Sequence, residues 1–124
     1  MKKKVLVIED NEQNLYLVTF ILERYGYEVS AARDGGAGID LAAQLKPDII
    51  LLDIQLPIMD GYAVAQRLRA NAALDRVPII AVTSYAMAGD REKAIAAGCN
   101  GYIEKPINPE SFMQQIEQYL PAPQ

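Results

Sequence analysis

The sequence has no histidine, no tryptophan and a single cysteine, Cys99. Without histidine, Ser-His-Asp catalysis, Cys-His catalysis and histidine-ligated zinc are excluded together. Any chemistry must then rest on carboxylates, hydroxyls and lysine. One cysteine allows no internal disulfide, which fits a reducing compartment, so a cytoplasmic location is expected. Long apolar runs are also missing, and none is long enough to cross a bilayer. In "MKKKVLVIED" the apolar stretch stops at Glu9 and Asp10, too early for a signal peptide. Positive charge is in deficit, with 12 Lys and Arg against 16 Asp and Glu and a net charge of −4. Non-specific nucleic-acid binding needs a basic face, so neither nucleic acid nor membrane is an expected partner, and Lys2 to Lys4 read as a solvated strand entrance.

What remains is globular: 124 residues, 51% of them apolar and 23% charged, enough for one domain with one core. The ordered part is expected over about residues 3–120, with "PAPQ" at 121–124 as a tail. Strand and helix signals alternate along it. "KVLVI" is a short β-branched run. After it Asn11 caps a helix whose inward face is Leu15, Val18, Leu22 and Tyr25 and which Gly26 closes. A second strand is expected over residues 27–32. Asp34 then caps a helix turning Ala37, Leu41 and Leu45 inward, its first turn weakened by Gly35, Gly36 and Gly38 at roughly 1 kcal/mol each relative to alanine.

"IILL" at 49–52 is apolar without alternation, as in a central parallel strand covered on both faces. A third helix is predicted over about 62–71 with Val64 and Leu68 inward, followed by a polar link. The fourth strand is "IIAVT" at 79–83. The fourth helix, about 86–97, is alanine-rich, carries few large anchors and should be the least firmly seated. "GYIE" at 101–104 is the fifth strand. Asn108 and Pro109 then supply a cap and a first-turn proline for a last helix anchored by Phe112, Ile116, Tyr119 and Leu120. Five βα units imply a parallel sheet with helices on both faces, and in such sheets function gathers at the carboxyl ends of the strands.

Glu9 and Asp10 follow strand one, Asp53 follows strand three, Thr83 and Ser84 end strand four, and Lys105-Pro106 follow strand five. Taken singly, these residues read as helix caps, a turn and a solvated lysine, and only Asp53, driven to the end of the most apolar strand, stands apart. Taken together they are a problem of charge. Two like unit charges about 4 Å apart repel by roughly 4 kcal/mol at an effective dielectric of 20, and one lysine cannot neutralise three acids. A hard divalent cation with oxygen ligands can. A carboxylate kept ionised by metal and amine is a nucleophile, and a phosphoryl group is its natural electrophile. A constitutive docking module with a structural acid cluster is an alternative. So is an aspartate-nucleophile phosphatase, although Asp53-Ile54-Gln55 lacks the second acid of the Asp-x-Asp pair those enzymes resemble one another in.

"VLVIEDN", "DIILLDIQLPIMDG", "IIAVTS" and "YIEKPI", in this order and spacing, resemble the receiver domain of two-component response regulators over essentially the whole chain, residues 1–124. Within that family the short "EDNEQN" and "KPI" strings are similar to stand-alone receivers of the DivK cell-division type, and also to receivers in hybrid kinases. The resemblance implies a flavodoxin-like doubly wound α/β fold, a five-stranded parallel sheet of order 2-1-3-4-5 with five helices. It implies that Asp53 accepts a phosphoryl group from a partner's phosphohistidine. Glu9, Asp10, Asp53 and the Gln55 backbone carbonyl would hold Mg2+, with Mn2+ as a substitute. Thr83 and Lys105 would contact the phosphoryl oxygens, Thr83 and Tyr102 would be the switch pair, and Ser84 and Tyr85 would line the access to the acceptor. Lys105-Pro106 would be a cis bond. The implied partners are a sensor histidine kinase or histidine phosphotransfer protein, and a downstream protein bound by the helix 4–strand 5–helix 5 face. Such a domain is not a conventional enzyme, but self-phosphorylation from a phosphodonor and slow self-dephosphorylation are expected of it.

Overall fold

The computed structural model describes residues 3–84 and 89–120. Five strands, β1 (Lys4–Ile8), β2 (Glu28–Ala32), β3 (Ile49–Asp53), β4 (Ile79–Thr83) and β5 (Gly101–Glu104), alternate with five helices, α1 (Glu12–Arg24), α2 (Gly35–Leu45), α3 (Gly61–Arg69), α4 (Asp90–Ala97) and α5 (Pro109–Glu117). All strand pairs are parallel, in the order β2-β1-β3-β4-β5. No helix among the described residues is long and apolar enough to cross a membrane.

Because side chains alternate across a strand, the sheet divides the core in two. Val5, Val7, Ile49, Leu51, Ile80, Val82 and Ile103 pack with Val18 and Leu22 of α1 and Phe112 and Ile116 of α5. Leu6, Ile8, Ile50, Leu52, Ile79 and Ala81 pack with Ala42 of α2, Val64 and Leu68 of α3 and Ala94 and Ala97 of α4. Every residue of β3 and of β4 is buried, as the unalternating apolar runs require of central strands.

Local chemistry sets the helix starts. Asn11, Asp34, Asp60 and Asn108 each place a side-chain oxygen on a backbone N–H of the first turn of α1, α2, α3 and α5. Gly26, at φ +86°, closes α1 in a conformation that an L side chain resists. The helix itself ends at Arg24, so Tyr25 is its C-cap and is exposed rather than inward, and Ile21 fills the core instead. α3 stops at Arg69, short of the expected 71. The link after it is a single 3-10 turn at Ala72–Leu74 that buries Leu74. Arg69 locks this end of the molecule: its guanidinium donates to the carbonyls of Gly98 (2.8 Å) and Leu74 (2.8 Å) and to Asn100 Oδ1 (2.6 Å), which also accepts the Ile79 N–H (2.9 Å).

α2 differs most from its sequence reading. Ala37 is exposed and the buried positions are Gly35, Gly38 and Ala42. The face on the sheet is thus a stripe of small residues, displaced by one position from the large apolar ones. A Cβ on Gly38 would lie 2.5 Å from Ile8 Cδ1, and one on Gly35 would lie 2.6 Å from Val64 Cγ2, so these glycines let the helix seat closely on β1 and α3. The expected start of α4 at 86 lies outside the described residues. The described helix has Gly89 as its N-cap, makes no side-chain cap bond and buries only alanines, in keeping with a weakly anchored helix.

The glycines of α2 should respond to alanine in opposite directions. Gly38→Ala should destabilise by about 1–3 kcal/mol through overpacking against Ile8. Gly36→Ala, whose Cβ would meet only the Asp34 side chain at 3.6 Å, should stabilise by a few tenths to about 1 kcal/mol. Urea denaturation of the two variants against the parent measures both.

Candidate functional site

Parallel register brings the separated acids to one rim. Ile8 pairs with Leu52 and Asp53 with Val82, so the residues after β1 and at the ends of β3 and β4 stand side by side. The backbone ladder continues past the strands: Glu9 N–H donates to the Ala32 carbonyl (3.0 Å), Ile54 N–H to the Val82 carbonyl (3.0 Å) and Lys105 N–H to the Thr83 carbonyl (2.7 Å). Glu9, Asp53 and Thr83 are the buried polar residues of the described chain, at 4%, 3% and 3% exposure. Asp10 is exposed beside them.

One carboxylate oxygen from each of Glu9, Asp10 and Asp53 lies within 4.8 Å of the other two. Lys105 enters from β5, with Nζ 3.0 Å from Glu9 Oε1 and 3.5 Å from Asp53 Oδ2. Beneath the pair lies a small hollow lined by Val7, Val18, Leu51, Val82 and Ile107. The acids therefore face hydrocarbon on one side and a single ammonium on the other. Burial pushes the Glu9 carboxyl up from 4.5 to about 7, aided by its hydrogen bond to Asp53 and opposed by Lys105. Hard carboxylate oxygens converging beside a single ammonium are the donor set a small divalent cation fits.

The two buried carboxylates are held by backbone amides. Asn11 N–H donates to Glu9 Oε2 (3.2 Å) and Gln55 N–H to Asp53 Oδ1 (2.9 Å). Behind β3, a Cβ on Gly61 would meet the Asp53 carbonyl oxygen at 2.7 Å, so the first residue of α3 has to be small. The loop between them carries Ile58 at φ 68° with its side chain fully exposed, an uncommon conformation for a β-branched residue. Lys105–Pro106 is a cis peptide. Tyr102 pairs in register with Ala81 and is half-buried against the core face shared with α4. Burial first, then Asp90 and Glu104, push its phenol upward. Tyr85 lies outside the described residues.

One residue, Arg33, and one side-chain contact, made by Gln55, escape a reading of the sequence. Arg33, just past β2, donates to the Asp10 carbonyl (3.2 Å) and pairs with Glu12 (3.5 Å). Its one-residue offset from Ala32, the partner of Ile8, was the available signal. The Gln55 side chain reaches across to β4, with Oε1 accepting the Ser84 N–H at 3.2 Å, and no sequence signal marks that contact.

Comparison with known proteins gives one consistent picture. The family model described as the response regulator receiver domain matches residues 5–117. The polar-differentiation response regulator DivK of Brucella anthropi is 43% identical over 120 residues, covering 97% of this chain and 98% of that protein. Among solved structures, the Vibrio cholerae chemotaxis protein CheY4 superposes with a TM-score of 0.93 at 28% identity, covering 97% of this chain and 100% of that one. The receiver domain of the sensor histidine kinase PA1611 of Pseudomonas aeruginosa, solved with a magnesium ion coordinated in its active-site cleft, gives 0.88 at 34% identity, covering 96% and 98%.

The raised Glu9 carboxyl has a signed consequence for stability. Its folded value of about 7 lies above the ordinary 4.5, so the native state binds the proton more tightly than the unfolded chain. With divalent cations chelated, stability should fall as pH rises from about 4.5 through 7, by on the order of 3 kcal/mol, and level off above. Urea titrations at pH 5, 6, 7 and 8 should show this decline, and Glu9→Gln should flatten it.

Proposed function

Because the chain belongs to the response regulator receiver domain family of two-component signalling, we propose that Asp53 is its phosphoacceptor and that residues 1–124 act as one receiver domain. Receiver domains of this family exchange phosphoryl groups with kinases or phosphotransfer proteins and signal to downstream targets. The observation that carries the residue assignment is the meeting of Glu9, Asp10 and Asp53 oxygens within 4.8 Å, with the Lys105 ammonium 3.0 and 3.5 Å from the two buried acids.

In transfer from a phosphohistidine, an Asp53 carboxylate oxygen forms its bond to phosphorus as the bond from phosphorus to the imidazole nitrogen breaks. The imidazole leaves with the electron pair. Lys105 follows the charge onto the phosphoryl oxygens, and the Thr83 hydroxyl donates to one of them. Glu9, Asp10, Asp53 and the Gln55 carbonyl would hold magnesium, or manganese in its place. When bound, the ion offsets the negative charge that the phosphoryl group adds to the cluster. Ser84 is small enough to leave the acceptor accessible.

The new charge and acceptor oxygens draw Thr83 toward the site and vacate the space into which Tyr102 turns. The output face is then α4, β5 and α5, where α4 is seated by alanines and Ile95 is exposed. A protein partner that prefers the phosphorylated form selects it there. The phosphoryl donor is a sensor histidine kinase or histidine phosphotransfer protein, and the setting is the cytoplasm. The domain is also expected to take phosphate from a small acyl phosphate by itself and to release it slowly.

With acetyl phosphate and magnesium, intact-mass spectrometry should detect one added phosphate. Asp53→Asn should gain none, Lys105→Met should lose about ten-fold or more of the uptake rate, and chelation should abolish uptake. Equal labelling of the Asp53→Asn variant would sink the assignment.

A further inference from the structure

α1 leaves two aromatic side chains in the open. Tyr16 is 74% exposed and Phe20 48%, on the side of the helix away from the buried Val18, Ile21 and Leu22. Their rings are stacked, with centroids 6.4 Å apart and planes 17° from parallel, and the Arg24 guanidinium lies 5.5 Å over the Phe20 ring. These contacts order the side chains before any partner arrives, so little rotamer freedom is left to lose on association. Exposed, pre-ordered aromatic and arginine side chains are the composition of an interface core. Glu12, one step earlier in the same four-residue row, is also exposed. Its pair with Arg33 spans 3.5 Å between two exposed side chains, an arrangement worth little.

At 3.6 residues per turn, positions four apart drift by only about 40°, so Glu12, Tyr16, Phe20 and Arg24 form one ridge: acid, aromatic, aromatic, base. Reversed, the order is its own complement. An antiparallel copy centred at the level of Val18 sets Glu12 against Arg24 and Tyr16 against Phe20, twice each, and rows of this kind run alongside one another when two helices cross at about −50°. A parallel copy would set acid on acid and base on base. We propose that this ridge pairs with the same ridge on a second copy of the chain, in an antiparallel, two-fold symmetric dimer. Four aromatic side chains of about 150–250 Å² each fall short of the roughly 1,200 Å² buried in a stable complex, so the dimer is weak, with a dissociation constant on the order of 0.1 mM. α1 packs on the face of the sheet opposite α4, so the pairing leaves α4 uncovered on both copies. Nothing in the pairing depends on the chemistry at Asp53.

Sedimentation equilibrium of the full chain from about 10 μM to about 1 mM reads the association. The wild type should pass from monomer towards dimer across that range. Phe20→Ala should weaken the dimer about ten-fold or more. Glu12→Arg and Arg24→Glu each turn two attractions into two repulsions, and each should weaken it about ten-fold. Combining Glu12→Arg with Arg24→Glu restores both pairs in the antiparallel arrangement alone, and should bring association back to within about three-fold of wild type, the remainder being the cation lost from over Phe20. All these positions are exposed, so the variants keep the fold, which circular dichroism checks. A wild type that stays monomeric throughout, a Phe20→Ala variant that pairs as well as wild type, or a double variant no better than its singles overturns the proposal.

Discussion

Two buried carboxylates sharing one ammonium is the constraint from which the rest of the molecule can be understood. Glu9 and Asp53 sit at the carboxyl ends of adjacent strands, above hydrocarbon, with Lys105 between them. Buried ion pairs of this kind contribute little to stability, because desolvation offsets most of the Coulomb attraction. The arrangement is one positive charge short, and burial pushes the Glu9 carboxyl up to about 7. A fold selected for stability alone would put hydrocarbon there. The deficit is an appetite for cations.

The parallel sheet meets this demand because its register places strand ends level with one another. Glu9, Asp53 and Thr83 are carried on three neighbouring strands, and the amides of Asn11 and Gln55 hold the carboxylates at fixed angles. The helices differ in how they are seated: α1, α3 and α5 bury Leu22, Val64, Leu68, Phe112 and Ile116 completely, whereas α4 buries alanines. Tyr102 packs, half-buried, on the face that α4 shares.

Much of this was legible in the sequence where the cause is local. The runs at 4–8, 79–83 and 101–104 match their strands, and Asn11, Asp34 and Asn108 cap the helices they precede, because capping and β-branching act over a few residues. The convergence of the acids followed from the βα rhythm, while the strand order came from resemblance to a family. What was hidden depends on distances across the chain. A stripe of glycine on α2 carries no large-residue periodicity, so its true inward face was displaced. Tyr25 reads as the next inward position until the helix is seen to end before it. Met113, between the anchors Phe112 and Ile116, is buried at 3% exposure in the core that α1 and α5 share. The raised Glu9 carboxyl and the reach of the Gln55 and Arg33 side chains depend on ångström-scale geometry that no spacing encodes.

The Arg69 guanidinium is bonded to the last turn of α4 through the Gly98 carbonyl, and to β4 and β5 through Asn100. At the opposite end, Gly89 begins the helix in a left-handed conformation without a capping side chain. The one Arg69 side chain thus joins the tail of α4, the link after α3 and the entry to β5, so that these three segments are held as a single unit.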